Sequence, residues 1–272
     1  MKKTMLGLSI FAAATLLFGG AAFGGNIVIK GSTTVLPIAQ KTAEAYMQQN
    51  PSVRISISGG GSGNGIKALI DGSCDIADSS RFIKQKEVKL AVERGRYPVP
   101  FAVAYDSIVP VVHPSNPMVN VTLAQLKDIY EGKIRNWKEI GGPDRPVVVV
   151  SRDTSSGTYE VWREKVLKKK RVFPGALLQA SNGAVLQAVA KNKNAIGYVG
   201  LGYLNDTVKA LMINGVTGSE ETTLNGTFPI SRPLFMFTAG WPQGETLRFI
   251  NFVIHPQKGQ QYVREAGFVP LY

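Results

Sequence analysis

From Asn26 onward, short β-branched runs alternate with segments of helical spacing. Residues 27–29 read as a strand, 36–49 as a helix, 53–57 as a strand and 65–70 as the start of another helix. Farther along, 108–112 and 147–150 are candidate buried strands, while 123–130, 158–167 and 185–190 carry helical patterns. The chain closes with helical segments at 245–254 and 257–266, broken by Pro256. Such alternation implies an α/β architecture built around parallel strands. Hydrophobic residues make up 44% of the chain and mean hydropathy is +0.02, enough apolar side chain for a core and too much for a disordered or collagen-like chain.

Three turns of one chemical type stand between these strands and helices. They are Gly31-Ser32-Thr33-Thr34, then Ser58-Gly59-Gly60-Gly61-Ser62-Gly63-Asn64-Gly65, then Arg152-Asp153-Thr154-Ser155-Ser156-Gly157-Thr158. A helix start offers unpaired N–H groups and a partial positive charge, and glycine lets an anion approach the backbone. Ser and Thr add hydroxyl donors, and Arg152 adds a guanidinium fork. One such turn is explained by helix capping. Three in one α/β chain, at the strand ends where such folds bind ligands, point to an oxyanion site.

Nucleotide motifs fail on the second turn. Gly60 and Gly65 have P-loop spacing, but Ile66 stands where the lysine belongs, and Gly61 and Gly63 are also followed by Ile66 where a dinucleotide fold needs glycine. A fourth polar segment, Asp75-Ile76-Ala77-Asp78-Ser79-Ser80-Arg81, ends a short strand. Asp106 sits within the apolar run 101–112, where a carboxylate needs partners.

Residues 1–24 have the charged start, apolar stretch and small-residue end of a cleaved secretory signal. The chain carries 31 Lys+Arg against 19 Asp+Glu, a net charge of +12, and losing Lys2 and Lys3 with that segment leaves +10. The one dense basic run, Lys168-Lys169-Lys170-Arg171, lacks interleaved aromatics and reads as a solvated helix end, so no nucleic-acid partner is expected. The charge surplus instead favours small anions. The single Cys74 reads as a small buried hydrophobe and excludes an internal disulfide; the separated His113 and His255 exclude a clustered zinc site. No metal or cofactor is expected. Trp137 and Trp162 read as packing residues.

Several of these segments together resemble the substrate-binding proteins of phosphate ABC transporters. The match rests on Gly31-Ser32-Thr33-Thr34-Val35, the glycine-rich second turn, Ser79-Ser80-Arg81, Ile129-Tyr130-Glu131-Gly132-Lys133-Ile134-Arg135-Asn136-Trp137, the third turn, and Ala195-Ile196-Gly197-Tyr198-Val199. The resemblance implies a type II periplasmic-binding-protein fold: two α/β lobes joined by two crossover strands, closing on one phosphate. It divides the chain into a signal peptide (1–24), a first lobe built from 25–107 and 236–272, and a second lobe from 108–235. The crossovers are expected near residues 105–108 and 234–238.

By resemblance, the phosphate contacts fall on Thr33, Thr34, Ser62, Arg152, Ser156, Gly157 and Thr158. Some relatives carry a Ser-Asp pair whose Asp accepts a protonated phosphate oxygen; here Ser80 stands in its place, with Arg81 beside it as a second cationic donor. Asp106 is the substitute acceptor, with Asp78 and Asp153 as rivals. The family further implies inorganic phosphate and a membrane-embedded ABC permease as partners, a monomer, a periplasmic location and no catalysis. The competing reading is an exported phosphatase or serine hydrolase with Ser156 as nucleophile, which needs a base that neither histidine supplies from its place in the sequence.

Overall fold

The computed structural model describes residues 25–272; the expected secretory segment, 1–24, lies outside them. The chain runs β1 (Asn26–Gly31), α1 (Leu36–Gln49), β2 (Arg54–Ser58), α2 (Ser62–Asp71), β3 (Ile76–Ser79), α3 (Gln85–Glu93) and the long β4 (Pro98–Val112). Next come β5 (Asn120–Val121), α4 (Leu123–Tyr130), β6 (Val148–Arg152), α5 (Gly157–Lys165), β7 (Leu177–Gln179), α6 (Asn182–Ala190) and β8 (Ala195–Gly200). It ends with β9 (Lys209–Ala210), β10 (Met212–Ile213), α7 (Glu220–Leu224), β11 (Ser231–Ala239), α8 (Gly244–Ile254) and α9 (Gly259–Glu265).

The main sheet has the order β2-β1-β3-β11-β4-β8-β6-β7, with β9 added on β4. Within each half the strands that precede helices run parallel, β1 with β2 and β3, and β6 with β7 and β8. The two long strands β4 and β11 pair antiparallel and join the halves. Along β4, residues up to Ser107 pair with β11, and from Ile108 onward the strand pairs with β8.

Successive side chains of a strand point to opposite faces, so a sheet covered by helices on both sides builds two cores. In the first half, Ile38, Phe249 and Val263 from α1, α8 and α9 pack on Ile29, Val103 and Met236, while Ile66, Leu69 and Ala91 from α2 and α3 pack on Ala77 and Phe237. In the second half, Leu126, Ile129 and Trp162 cover Val149 and Tyr198, and Val185 and Val189 of α6 cover Val150 and Val199. Ile108 and Ile230 belong to the second half's core, and Ala104 and Leu234 to the first half's. The chain therefore crosses between halves twice, which is the two-lobed arrangement expected.

Trp137 and Trp162 are core residues, and Cys74 packs beside Ile70, its thiol pushed up to about 12 by burial. The basic run 168–171 is exposed just beyond α5. Among the described residues, no helix is long and apolar enough to cross a membrane.

Candidate functional site

The local chemistry of the three turns sets their shape. Helix α2 begins at Ser62, earlier than the expected start at 65, because Gly60 and Gly61 take positive φ values of 140° and 97° and turn the chain sharply before it. An L side chain resists that backbone, and a Cβ on Gly61 would stand 2.7 Å from the Ser155 carbonyl oxygen. At the third turn Ser156 is the N-cap of α5, its Oγ accepting from Tyr159 N at 3.1 Å. Gly157 follows because a Cβ there would collide with Ser62 and Ser80.

Folding brings the turns together across the seam between the lobes. Thr34 Oγ1 and Thr158 Oγ1 are 2.9 Å apart. Gly63 N donates to Ser155 O at 2.9 Å, and Ser155 Oγ to Gly60 O at 3.1 Å. Ser80 N donates to Ser62 Oγ at 3.0 Å, and the two hydroxyl oxygens are 3.3 Å apart. Thr33, Thr34, Ser62, Ser80, Arg152, Ser156, Gly157 and Thr158 are all buried here. The starts of α1, α2 and α5 thus meet in one site with an array of hydroxyl and N–H donors.

Arg152 is held from behind. Its Nε donates to Gln179 O at 3.1 Å and its Nη2 to Ala180 O at 2.9 Å, while Nη1 is buried without a protein partner. Burial lowers the guanidinium from its ordinary value, yet an arginine keeps its proton in a protein, so the site carries a fixed charge with one unspent donor arm. Asp153 does not hold Arg152: its Oδ1 accepts from Ser155 N at 2.8 Å.

Two expected contacts are placed otherwise. The Arg81 guanidinium does not join the hydroxyl array; Nη1 and Nη2 donate to the Glu87 carboxylate at 2.9 and 2.7 Å. Its Nε lies 3.1 Å from Glu160 Oε2 on α5, an ion pair by distance though without an aligned hydrogen bond. Asp106 does not offer a free acceptor. Its Oδ2 takes Arg232 Nε at 3.1 Å and Nη2 at 2.8 Å, and its Oδ1 takes Leu201 N at 2.8 Å. Burial pushes the Asp106 carboxyl up, and Arg232 pulls it back only in part. Asp78 is the opposite case: Oδ1 is buried with no hydrogen-bond partner, and burial pushes the carboxyl well above the usual range.

Sequence reasoning missed three residues of the site. Arg232, directly across from Asp106 in the β4–β11 register, answers the question of what partners a carboxylate in an apolar strand. The signal was there, an arginine in the apolar strand Ser231–Ala239. Asn182, at the start of α6, donates to Thr33 Oγ1 at 3.2 Å and Thr34 Oγ1 at 3.0 Å. Its signal was a further Ser-Asn-Gly helix start at 181–183. The Tyr198 hydroxyl accepts from Arg152 N at 3.2 Å, and its ring stacks on Trp162 with centroids 4.2 Å apart; its signal was its place in the Ala195–Val199 motif, which gave it no role of its own.

As a set, these groups donate to an anion and do not activate a nucleophile. Ser156 Oγ accepts at its cap and keeps its own hydrogen to donate, and the histidines lie elsewhere: His113 Nδ1 meets Ser115 Oγ, and His255 Nδ1 accepts from Gln257 N. Among the described residues no group of three or more His, Cys, Asp or Glu is arranged to hold a metal ion.

The PBP superfamily domain model matches residues 19–257. The phosphate-binding protein PstS of Staphylococcus epidermidis is 32% identical over 294 residues, covering 99% of this chain and 89% of that one. A Clostridium perfringens structure described as a phosphate ABC transporter substrate-binding protein with bound phosphate superposes with a TM-score of 0.85 at 35% identity, covering 91% of this chain and 100% of that one. An ABC-type phosphate transport receptor from Vibrio cholerae gives a TM-score of 0.74 at 32% identity, over 89% and 99% of the two chains. The two-lobed fold, the joined turns and these relatives lead to one assignment: the chain belongs to the PBP superfamily, in the family of the phosphate-binding PstS proteins.

Proposed function

We propose that this protein captures inorganic phosphate in the cleft between its lobes and hands it to a membrane-embedded ABC permease, with no chemistry on the ligand. The observation that carries the reading is the buried, unpartnered Nη1 of Arg152 among hydroxyls at three helix starts. Thr33, Thr34, Ser62, Ser80, Arg152, Ser156, Gly157 and Thr158 are the proposed ligand residues. Many short, charge-assisted hydrogen bonds supply the affinity, and lobe closure supplies the signal that a permease reads. Arg81 acts at the rim of the cleft and Asp106 through Arg232, neither touching the anion.

The same reading divides the chain into one lobe of 25–107 and 234–272 and another of 108–230, the second crossover falling a little before the expected 236 because Leu234 and Phe235 pack in the first half. Residues 1–24 direct export to the periplasm, where the protein works as a monomer. The hydrolase alternative gains no support, since Ser156 has no base beside it. Isothermal titration of the mature protein against phosphate, sulfate and a phosphate monoester tests the proposal, phosphate being the expected tight ligand. Arg152→Ala removes a desolvated charged donor, a loss of about 2–5 kcal/mol in binding. Phosphate affinity should drop more than about tenfold at an unchanged melting temperature; near-wild-type affinity in that variant overturns the assignment.

A further inference from the structure

Arg232 is a buried cation whose bonds reach three separate segments of the cleft. Its side chain is 4% exposed. Nη1 donates to Ser80 O at 2.9 Å, and Nη2 to Thr158 Oγ1 at 3.0 Å and toward Thr34 Oγ1 at 3.5 Å, while Asp106 takes Nε and Nη2. It therefore touches the residues after β1, after β3 and at the start of α5, from a crossover strand that belongs to none of these segments.

A guanidinium and an amide nitrogen only donate. Thr158 Oγ1 must accept from Arg232, and Thr34 Oγ1 must accept from Asn182 Nδ2 and, at longer range, from Arg232. Each hydroxyl owns one hydrogen, and the two oxygens sit 2.9 Å apart. One hydrogen is spent between them. The other has no further protein acceptor among the described residues and is left for a ligand oxygen.

Resting on the phosphate reading and deepening it, we infer that Arg232 is a positioning residue that sets the hydrogen-bond polarity of the cleft, turning the Thr34–Thr158 pair into a donor and so favouring the more deprotonated form of phosphate. Asp106 is the counter-charge that lets this cation stand buried, and the pair adds no net charge to the site. The other charged or titratable groups around the pair are Arg152 from β6 and Tyr198 from β8 near Arg232, and Tyr203 from the turn after β8 near Asp106. Arg152 stays protonated, and burial raises both tyrosines. Without Arg232, Thr158 Oγ1 is free to accept a proton-bearing ligand oxygen, and the preference for the deprotonated form fades.

The test follows phosphate affinity across the pH range in which phosphate loses its second proton. The double variant Asp106→Asn, Arg232→Gln replaces the ion pair by a neutral pair, so net charge is unchanged and no buried charge is left alone. Wild type should bind more tightly as pH rises; the double variant should bind roughly tenfold more weakly at the alkaline end and lose that slope. Thr158→Val, which deletes the hydroxyl and leaves the buried pair intact, should flatten the slope as well, and it decides the matter if the double variant does not fold. A folded double variant, or Thr158→Val, that keeps the wild-type slope overturns the role given to Arg232 while leaving phosphate binding standing. Absence of phosphate binding by wild type overturns both.

Discussion

Two charge clusters bridge the structure near the cleft, one inside and one at its rim. The inner one is Asp106–Arg232, with side chains 0% and 4% exposed. The rim cluster joins Arg81, Lys84 and Glu87 of the first lobe to Glu160 of the second, with Lys84 Nζ 2.5 Å from Glu160 Oε2; Arg81 is only 6% exposed, but Glu87 and Glu160 are 17% exposed and Lys84 40%. Both use the same functional groups, yet water separates their roles. The inner pair has lost its hydration and must be satisfied by fixed partners, so it specifies geometry. The rim cluster keeps part of its hydration and links the two halves with an attraction that salt screens.

Breaking the inner pair on one side gives the largest effect. Asp106→Ala strands the Arg232 charge in the core, and loss of one partner of a buried pair typically costs about 3–5 kcal/mol. Thermal melting should show a drop that added salt does not restore; a variant as stable as wild type would mean that water or another group already solvates Arg232.

At the rim the corresponding change is small. Glu160→Gln removes the acceptor shared by Arg81 and Lys84, and partly exposed pairs are worth about 0.2–1 kcal/mol. Phosphate affinity should weaken by less than about tenfold at low salt, and the gap to wild type should close at high salt, where the screening length falls to about 3 Å. A salt-independent loss would place Glu160 among the geometry-setting groups and collapse the distinction between the clusters.

The smallest effect is the acid response of the rim. Burial alone would raise the Glu87 carboxyl, but the Arg81 hydrogen bonds and the Lys84 backbone N–H outweigh it and hold it below its ordinary value of 4.5. Its contribution to stability is complete above that ordinary value and disappears as pH falls through the lower folded value. Melting curves of wild type and Glu87→Gln should therefore run a constant distance apart at neutral pH and converge on acidification. Curves that converge on raising the pH instead would reverse the assignment.

The two clusters also mark how far reading the sequence reaches. The site turns were legible because each is local: a β-branched run, a few hydroxyl and glycine residues, then helical spacing. The helix at Ser62 starts earlier than the apolar spacing indicates, since Gly60 and Gly61 govern the start. Asp106 is legible as an anomaly, a charge in an apolar strand, but its partner is not, because Arg232 lies 126 residues away. The same holds for Arg81: its neighbours in sequence suggest a ligand cation, and its pairs with Glu87 and Glu160 appear only in space.

By itself, the order of residues determined the strand–helix alternation, the donor chemistry of the three turns and the presence of Arg152 beside a helix start, because these depend on backbone propensity and on groups within a few positions. Only the tertiary structure decided which charges pair with each other and which is left without a partner. The register of β4 against β11 sets Arg232 opposite Asp106, and the approach of the lobes sets Glu160 beside Arg81. Those pairings are settled by desolvation, which exists only once the chain has folded and water has left.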